Sequence, residues 1–342
     1  MASGNSSAPF VLGYEHIWDD PQVHVVRVPV VQLGLRYTNC YIIRDGDDVL
    51  IVDPGTSSPL IGRAFAHIAD EIGFDMSRAR FLCTHLHFDH AALLKQLTQS
   101  GSRILVGKSA YNNNAWSYYE LRNALLKSVM IEEGVPSMSR RGLAATKWEP
   151  RVCNLPDRNY ELLDDGQTIS VGAHELRVIE TPGHASGHLC LYNAEQRLLF
   201  SGDHVLEKIT PGLAFPFEGD DCLRDYLNSL GKVERLECSR VLPGHGGAFV
   251  GLAERCASLR RHHVHRLMQV YEIVANNPGC NGNAVMKAMP WKRSGPYEDW
   301  DQLTFSQKSS MSAQTFAYLE YLMNFGEIVR EEDSSGRHYR VT

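Results

Sequence analysis

Short runs of β-branched residues, separated by polar turns, open the ordered pattern of the chain. Residues 23–31 (Val-His-Val-Val-Arg-Val-Pro-Val-Val), 39–44 and 48–52 are such runs, and Arg44-Asp45-Gly46-Asp47 is one of the turns. They predict consecutive strands of a mostly antiparallel meander. Asp53-Pro54-Gly55 closes the third strand, and apolar positions at helical spacing predict a helix over 59–72. A strand at 80–83 runs directly into a histidine-rich segment, and a helix over 91–99 and a strand over 103–106 are expected next.

Residues 108–148 leave the β pattern. Trp116, Tyr118, Tyr119, Leu121, Leu125, Leu126, Met130 and Ile131 fall at helical spacing, which predicts an insertion of two or three helices. Strands return at 168–171, 174–180, 189–193 and 197–201, and a helix at 221–236 and a last strand at 240–242 complete the series. This order predicts an α/β (α+β) fold of the αβ/βα sandwich type, with two facing sheets and helices outside. Beyond about residue 250 the pattern turns helical, at 252–276, 282–289 and 311–325, and ends in two short strands around Asp333-Ser334-Ser335-Gly336. Three helices and a two-stranded wing describe a winged helix. The expected organisation is a flexible stretch at 1–20, a sandwich domain at 21–255 with the insertion at 108–148, and a winged-helix domain at 256–342.

Composition narrows the partners. The 342 residues are 43% hydrophobic and 22% charged, with a formal net charge of −6. That balance allows a sizeable core and argues against a general nucleic-acid binder, whose affinity rests on phosphate contacts. From Cys256 onward, 10 Lys and Arg stand against 9 Asp and Glu, and the helix expected at 311–325 has no Lys or Arg. A groove-reading helix presents basic or amide side chains, so this helix is expected to pack against the rest of the chain or in a homodimer. Eight cysteines are scattered without a Cys-x-x-Cys pair, the first seven residues carry no export signal, and no apolar run is long enough to span a membrane. A cytoplasmic chain with reduced thiols is expected.

The chemistry lies in the histidine-rich segment. His85, His87, Asp89 and His90 fall within six residues, while His184, Asp203 and His245 each sit beside a glycine just after an expected strand. Neutral imidazoles and carboxylates suit borderline divalent metals such as zinc. Alternate residues of an extended loop point the same way, so His85 and His87 can share one metal while Asp89 and His90 reach a second. Asp203 is expected to bridge, and the flanking glycines let the backbone turn tightly toward a common centre.

His85-x-His87-x-Asp89-His90 resembles the hallmark motif of the metallo-β-lactamase superfamily. Asp53-Pro54-Gly55, Thr181-Pro182-Gly183-His184, Gly202-Asp203 and Pro243-Gly244-His245-Gly246 match further motifs in the family's order, over about residues 20–250. The resemblance implies two Zn2+ per chain, with iron or manganese as alternatives. It assigns His85, His87 and His184 to one metal, Asp89, His90 and His245 to the other, and Asp203 to both. Aspartate rather than cysteine at that step is similar to glyoxalase II and ribonuclease Z, not to true β-lactamases. Asp53 is expected to accept a hydrogen bond that orients the metal loop. His188, in Ser186-Gly187-His188, resembles the glyoxalase II continuation and is expected behind the ligands or in a structural role. A sandwich followed by a winged helix is similar to a subgroup that holds both endoribonucleases resembling β-lactamase-like protein 2 and fungal polyketide-releasing thioesterases.

Such a site implies a dinuclear hydrolase in which a hydroxide between two metals about 3.5–4 Å apart attacks a carbonyl. Asp89 would orient that hydroxide, and His204 is the candidate proton donor. Trp116, Tyr118, Tyr119 and Met130 of the insertion, with Phe215 and Phe217 beyond Asp203, are candidates for an apolar wall suited to an acyl group. The expected substrate is a thioester, ester or lactone, free or on an acyl carrier. A metal-dependent endoribonuclease or phosphodiesterase is the alternative, and a non-catalytic winged-helix regulator a weaker one. Neither nucleic acid nor a membrane is an expected partner.

Overall fold

The computed structural model describes residues 12–30, 36–113, 125–126, 128–135, 155, 157–217, 219–291, 303 and 305–342. Strands β1 (Tyr14–Asp19), β2 (Gln22–Pro29), β3 (Tyr37–Asp45) and β4 (Asp48–Val52) form an antiparallel meander. Strands β5 (Arg80–Cys83), β6 (Arg103–Gly107) and β7 (Asn159–Leu163) extend it in parallel to a seven-stranded sheet. The second sheet has five strands in the order β12-β11-β10-β9-β8, built from β8 (Thr168–Val171), β9 (His174–Glu180), β10 (Leu189–Asn193), β11 (Leu198–Gly202) and β12 (Arg240–Pro243).

The two sheets face each other through an apolar layer. Val23, Tyr41, Ile43, Leu50, Val52 and Leu82 of the first sheet meet Val171, Leu176, Val178, Leu191, Phe200 and Leu242 of the second. The alternate residues of the first sheet, among them Val26, Ile42, Ile51 and Phe81, point outward onto helix α1 (Pro59–Ile72), which buries Ile61, Phe65 and Ile68. Proline in the first turn of α1 and a left-handed Gly73 at its end are the start and stop signals that bound it. The αβ/βα sandwich follows from period-two burial in the strands and period-3.6 burial in the helices.

Two local expectations change. Residues 14–19 lie in the stretch expected to be flexible, yet they form β1 and pair with β2. As an edge strand, β1 has no fully buried position, so its alternation is too weak to read. The single helix expected at 91–99 is instead two one-turn helices, α2 (Phe88–Ala91) and α3 (Leu94–Leu97), and α2 starts inside the histidine motif. Helix α4 (Lys108–Asn113) begins the insertion, and residues 125–126 and 128–132 are helical. Trp116, Tyr118 and Tyr119 lie outside the described residues.

Helix α5 (Cys222–Val233) crosses the outside of the second sheet and leads to β12, parallel to β11. Beyond it come α6 (Leu252–Asn276), α7 (Gly282–Ala288), α8 (Phe305–Asn324) and the antiparallel hairpin β13 (Ile328–Asp333) and β14 (Gly336–Val341). Helix α8 starts at Phe305, not 311, and so takes in Lys308. The domain boundary expected at 255/256 falls inside α6. Leu252, Cys256 and Leu259 of that helix share one core with Val205, Tyr226, Leu230 and Val241 of the sandwich and with Val285, Phe316 and Tyr339 beyond it. Among the described residues, no helix is long and apolar enough to cross a membrane.

Candidate metal centre

Every candidate ligand follows a strand. Strand β5 ends at Cys83, and the chain bends at Thr84 and His85 before reaching His87, whose φ of −66° and ψ of 149° make it the residue before α2. The helical turn of α2 then brings Asp89 and His90 beside His245, with the His90 ring still 4.2 Å from that of His85. One short segment thereby feeds two groups of donors.

In the first group, His87 Nδ1 lies 2.9 Å from His85 Nε2 and 3.1 Å from His184 Nε2. In the second, His245 Nε2 lies 3.3 Å from His90 Nε2 and 3.4 Å from Asp89 Oδ2. Asp203 Oδ2 stands between the groups, 3.7 Å from His184 Nε2, 3.6 Å from His90 Nε2 and 3.3 Å from His245 Nε2. Its other oxygen, Oδ1, is buried without a hydrogen-bond partner. Gly244 allows this approach: a Cβ there would stand 2.5 Å from Asp203 Oδ1 and 2.8 Å from His90 Cε1.

The outward nitrogens of the histidines are held by neighbours. His184 Nδ1 donates to the Gly212 carbonyl at 2.7 Å, and His245 Nδ1 donates to the Tyr37 carbonyl at 2.8 Å. Asp53 Oδ2 accepts from His90 Nδ1 at 2.9 Å and from the Thr84 hydroxyl at 2.7 Å, while Oδ1 accepts from the Thr84 N–H at 2.7 Å. With its proton committed to Asp53, the Thr84 oxygen accepts from His85 Nδ1 at 3.1 Å. These contacts fix four imidazoles with Nε2 facing the centre. Asp53 holds a φ of 53°, a left-handed conformation that aspartate tolerates better than most side chains.

The donor set fits divalent metal ions. Ligand atoms around a tetrahedral zinc, with Zn–N near 2.0–2.1 Å, stand about 3.3 Å apart, close to the separations in both groups. Three nitrogens facing one another cannot satisfy each other by hydrogen bonds alone, whereas a cation satisfies all three. The charges point the same way. Against the pull of burial, Asp203, Asp53 and Asp89 hold the His90 imidazole well above its usual pKa, and Asp203 and Asp89 raise His245 to about 9. Burial, followed by the His184 charge, pushes His87 down to about 3. The second group thus attracts positive charge, and the first offers neutral imidazoles.

The remaining site candidates divide. His188 is fully buried; its Nε2 accepts the Asp203 N–H at 3.1 Å, and its Nδ1 donates to the Thr181 hydroxyl at 2.8 Å. It therefore positions the backbone of Asp203. His204 departs from the proton-donor role expected of it. The ring is fully buried and packs edge-on against Tyr226 at 5.2 Å, with the Ser229 backbone as its polar neighbour. Burial drives its pKa to about 3. The backbone turn that aims Asp203 at the centre aims the next side chain into the core behind it. Met130 is 6% exposed and belongs to the core shared with α7 and α8, so its side chain serves packing there. Phe215 and Phe217 are half-buried with ring centroids 5.5 Å apart, on the loop that carries Gly212.

Several supporting residues escaped the sequence reading. Asn39 Nδ2 donates to the Pro243 and Gly246 carbonyls, both at 2.9 Å, and the Tyr41 hydroxyl donates to Pro243 at 2.7 Å. Together they pin the loop that presents His245. An amide directly before the apolar run Cys40-Tyr41-Ile42-Ile43 was the available signal at Asn39.

Facing sheets with outer helices and a histidine–carboxylate cluster at the strand ends describe a class of metal-binding αβ/βα proteins. The chain belongs to the metallo-β-lactamase superfamily, whose family model matches residues 33–245. Thioesterase pkgB of Emericella nidulans is 26% identical, over 96% of this chain and 86% of its own length. An atrochrysone carboxyl ACP thioesterase of Aspergillus fumigatus is 27% identical over 69% of this chain, which spans 62% of that relative's length. The acyl-coenzyme A thioesterase MBLAC2 of Gallus gallus is 28% identical over 66% of this chain and 78% of its own. Among solved structures, a β-lactamase domain protein from Burkholderia ambifaria superposes with a TM-score of 0.80 at 25% identity, covering 99% of this chain and 97% of that one.

Proposed function

We propose that this chain is a dinuclear zinc hydrolase of acyl thioesters, acting on an acyl group carried by coenzyme A or by a carrier protein. The observation that carries the reading is Asp203 Oδ2 standing between two groups of three donors. The thioesterases among its relatives support the choice of bond. His85, His87 and His184 would hold one ion, and Asp89, His90 and His245 the other. When bound, the metals supply Lewis acidity toward an acyl oxygen and lower the pKa of water to near neutral.

The protein's own groups complete the site. Against the effect of burial, His90 and His245 keep Asp89 ionised, so its carboxylate is an acceptor for the O–H of an incoming water. Phe215 and Phe217 form an apolar shelf beside Gly212 for an acyl chain. With His204 sealed in the core, a leaving group that departs as an anion is favoured. A thiol has a pKa of about 8.5, so a thiolate leaves unprotonated far more readily than an alkoxide. The three helices and hairpin after β12 have the element order of a winged helix, but α8 carries a single Lys and buries Phe316, Tyr318 and Leu319. That helix serves packing rather than nucleic-acid reading.

A substrate panel tests the reading. Acyl-coenzyme A and acyl-pantetheine thioesters should be hydrolysed, single-stranded RNA should not, and His87→Ala should abolish turnover. RNA cleavage alone, lost in the same variant, would establish the nuclease instead.

A further inference from the structure

The loop from Asp203 to α5 starts at the centre with Asp203, returns to it where the Gly212 carbonyl meets His184, and is anchored elsewhere by the C-terminal helices. Near its start, Arg255 in the first turn of α6 donates from Nε to the Leu206 carbonyl and from Nη2 to the Ile209 carbonyl, both at 2.7 Å. The planar guanidinium clamps two backbone oxygens in a fixed geometry. Further along, the Phe215 ring meets Phe316 of α8 edge-on at 5.7 Å, with an interplanar angle of 88°. At its end, Asn324 Nδ2 of α8 donates to Asp221 Oδ2 at 3.0 Å, while Oδ1 of that aspartate caps α5 through the Arg224 N–H. Between these anchors the backbone lies along the His184 loop. Ala214 N–H donates to the Gly183 carbonyl at 2.8 Å, and the Gly212 carbonyl accepts from His184 Nδ1 at 2.7 Å.

We propose that the C-terminal helices are a positioning part of the metal centre, and that Arg255 is the residue through which they fix the orientation of His184. The proposal rests on the metal-binding reading above and is independent of the thioester reading. The carbonyl that orients His184 belongs to a glycine, which has no side chain to hold it in place. Its position is set by the residues on either side, Ile209 through Arg255 and Phe215 through Phe316. Releasing Arg255 lets the Gly212 carbonyl drift and frees the imidazole to rotate. The His85, His87 and His184 group then loses a preorganised donor, while Asp89, His90 and His245 keep their own supports at Asp53 and Tyr37.

The test is zinc affinity of the full-length chain, measured by competition with a chromophoric chelator, which needs no substrate. Arg255→Met keeps the aliphatic stem and removes both hydrogen bonds. It should weaken one of the two ions about tenfold, the lower end of what loss of an outer hydrogen-bond partner costs, and leave the other unchanged. Arg255→Lys should recover part of the loss, and Phe316→Leu should weaken the same ion. Arg261→Met, at an exposed position on the same helix, should match the wild type. Equal weakening of both ions, or unchanged binding in a folded Arg255→Met protein, would overturn the proposal. A wild type that binds both ions but hydrolyses no thioester would sink the thioester reading and leave this one standing.

Discussion

Asp53 shows how one carboxylate organises the centre. It accepts from the Thr84 N–H and hydroxyl and from His90 Nδ1, so it fixes the histidine loop and the tautomer of a ligand at once. Asp53→Ala is expected to weaken metal binding about 10- to 100-fold without unfolding the chain, as measured by chelator competition. Asp203→Ala removes the oxygen within reach of both donor groups and is expected to weaken both ions; retention of two wild-type affinities would exclude a bridging role. At this scale the candidate donors were legible as a group because they cluster in one motif or sit beside glycines at strand ends. Thr84 and Asn39 were not, since their partners lie 31 and more than 200 positions away in the chain.

Between elements, the clearest device is a buried carboxylate within the insertion. Glu133 is 1% exposed, with Oε1 accepting from the Tyr339 hydroxyl at 2.6 Å and Oε2 accepting from the Gly282 N–H at 3.0 Å. It ties the helical stretch ending at 132 to β14 and α7, and Arg337 lies 3.6 Å away. Glu133→Ala strands two buried donors at about 1–3 kcal/mol each, so a loss of roughly 3 kcal/mol is expected. Denaturant midpoints at constant m-value would measure it, and a change below about 0.5 kcal/mol would show the tie to be idle. The sequence reading placed a helix here but assigned its Met130 to the substrate wall. Helical spacing shows that a face is apolar; it does not show which surface that face meets.

For the molecule as a whole, the third core decides what folds together. Tyr226, Leu230 and Val241 are covered by α6, so a chain ending at residue 250 would leave them facing water. Such a truncation is expected to aggregate or to lose cooperative unfolding, whereas a monomer melting at the full-length Tm would show the sandwich to be self-sufficient. Metal removal should also lower Tm, because three carboxylates converge on His90 and lose their compensating charge. An ion at a hundredfold excess over its Kd stabilises by about 2.7 kcal/mol, a shift that calorimetry with and without chelator would resolve.

The sequence by itself determined the sandwich and the cluster of histidines and carboxylates at its strand ends, because hydrophobic periodicity and clustered polar motifs are local and survive without coordinates. Only the tertiary structure decided that His204 faces the core, that α6 runs unbroken through the expected domain boundary, and that Gly212 and Arg255 stand behind His184. Those facts depend on backbone carbonyls and on the opposing surfaces of packed elements. Neither leaves a side-chain pattern along the chain.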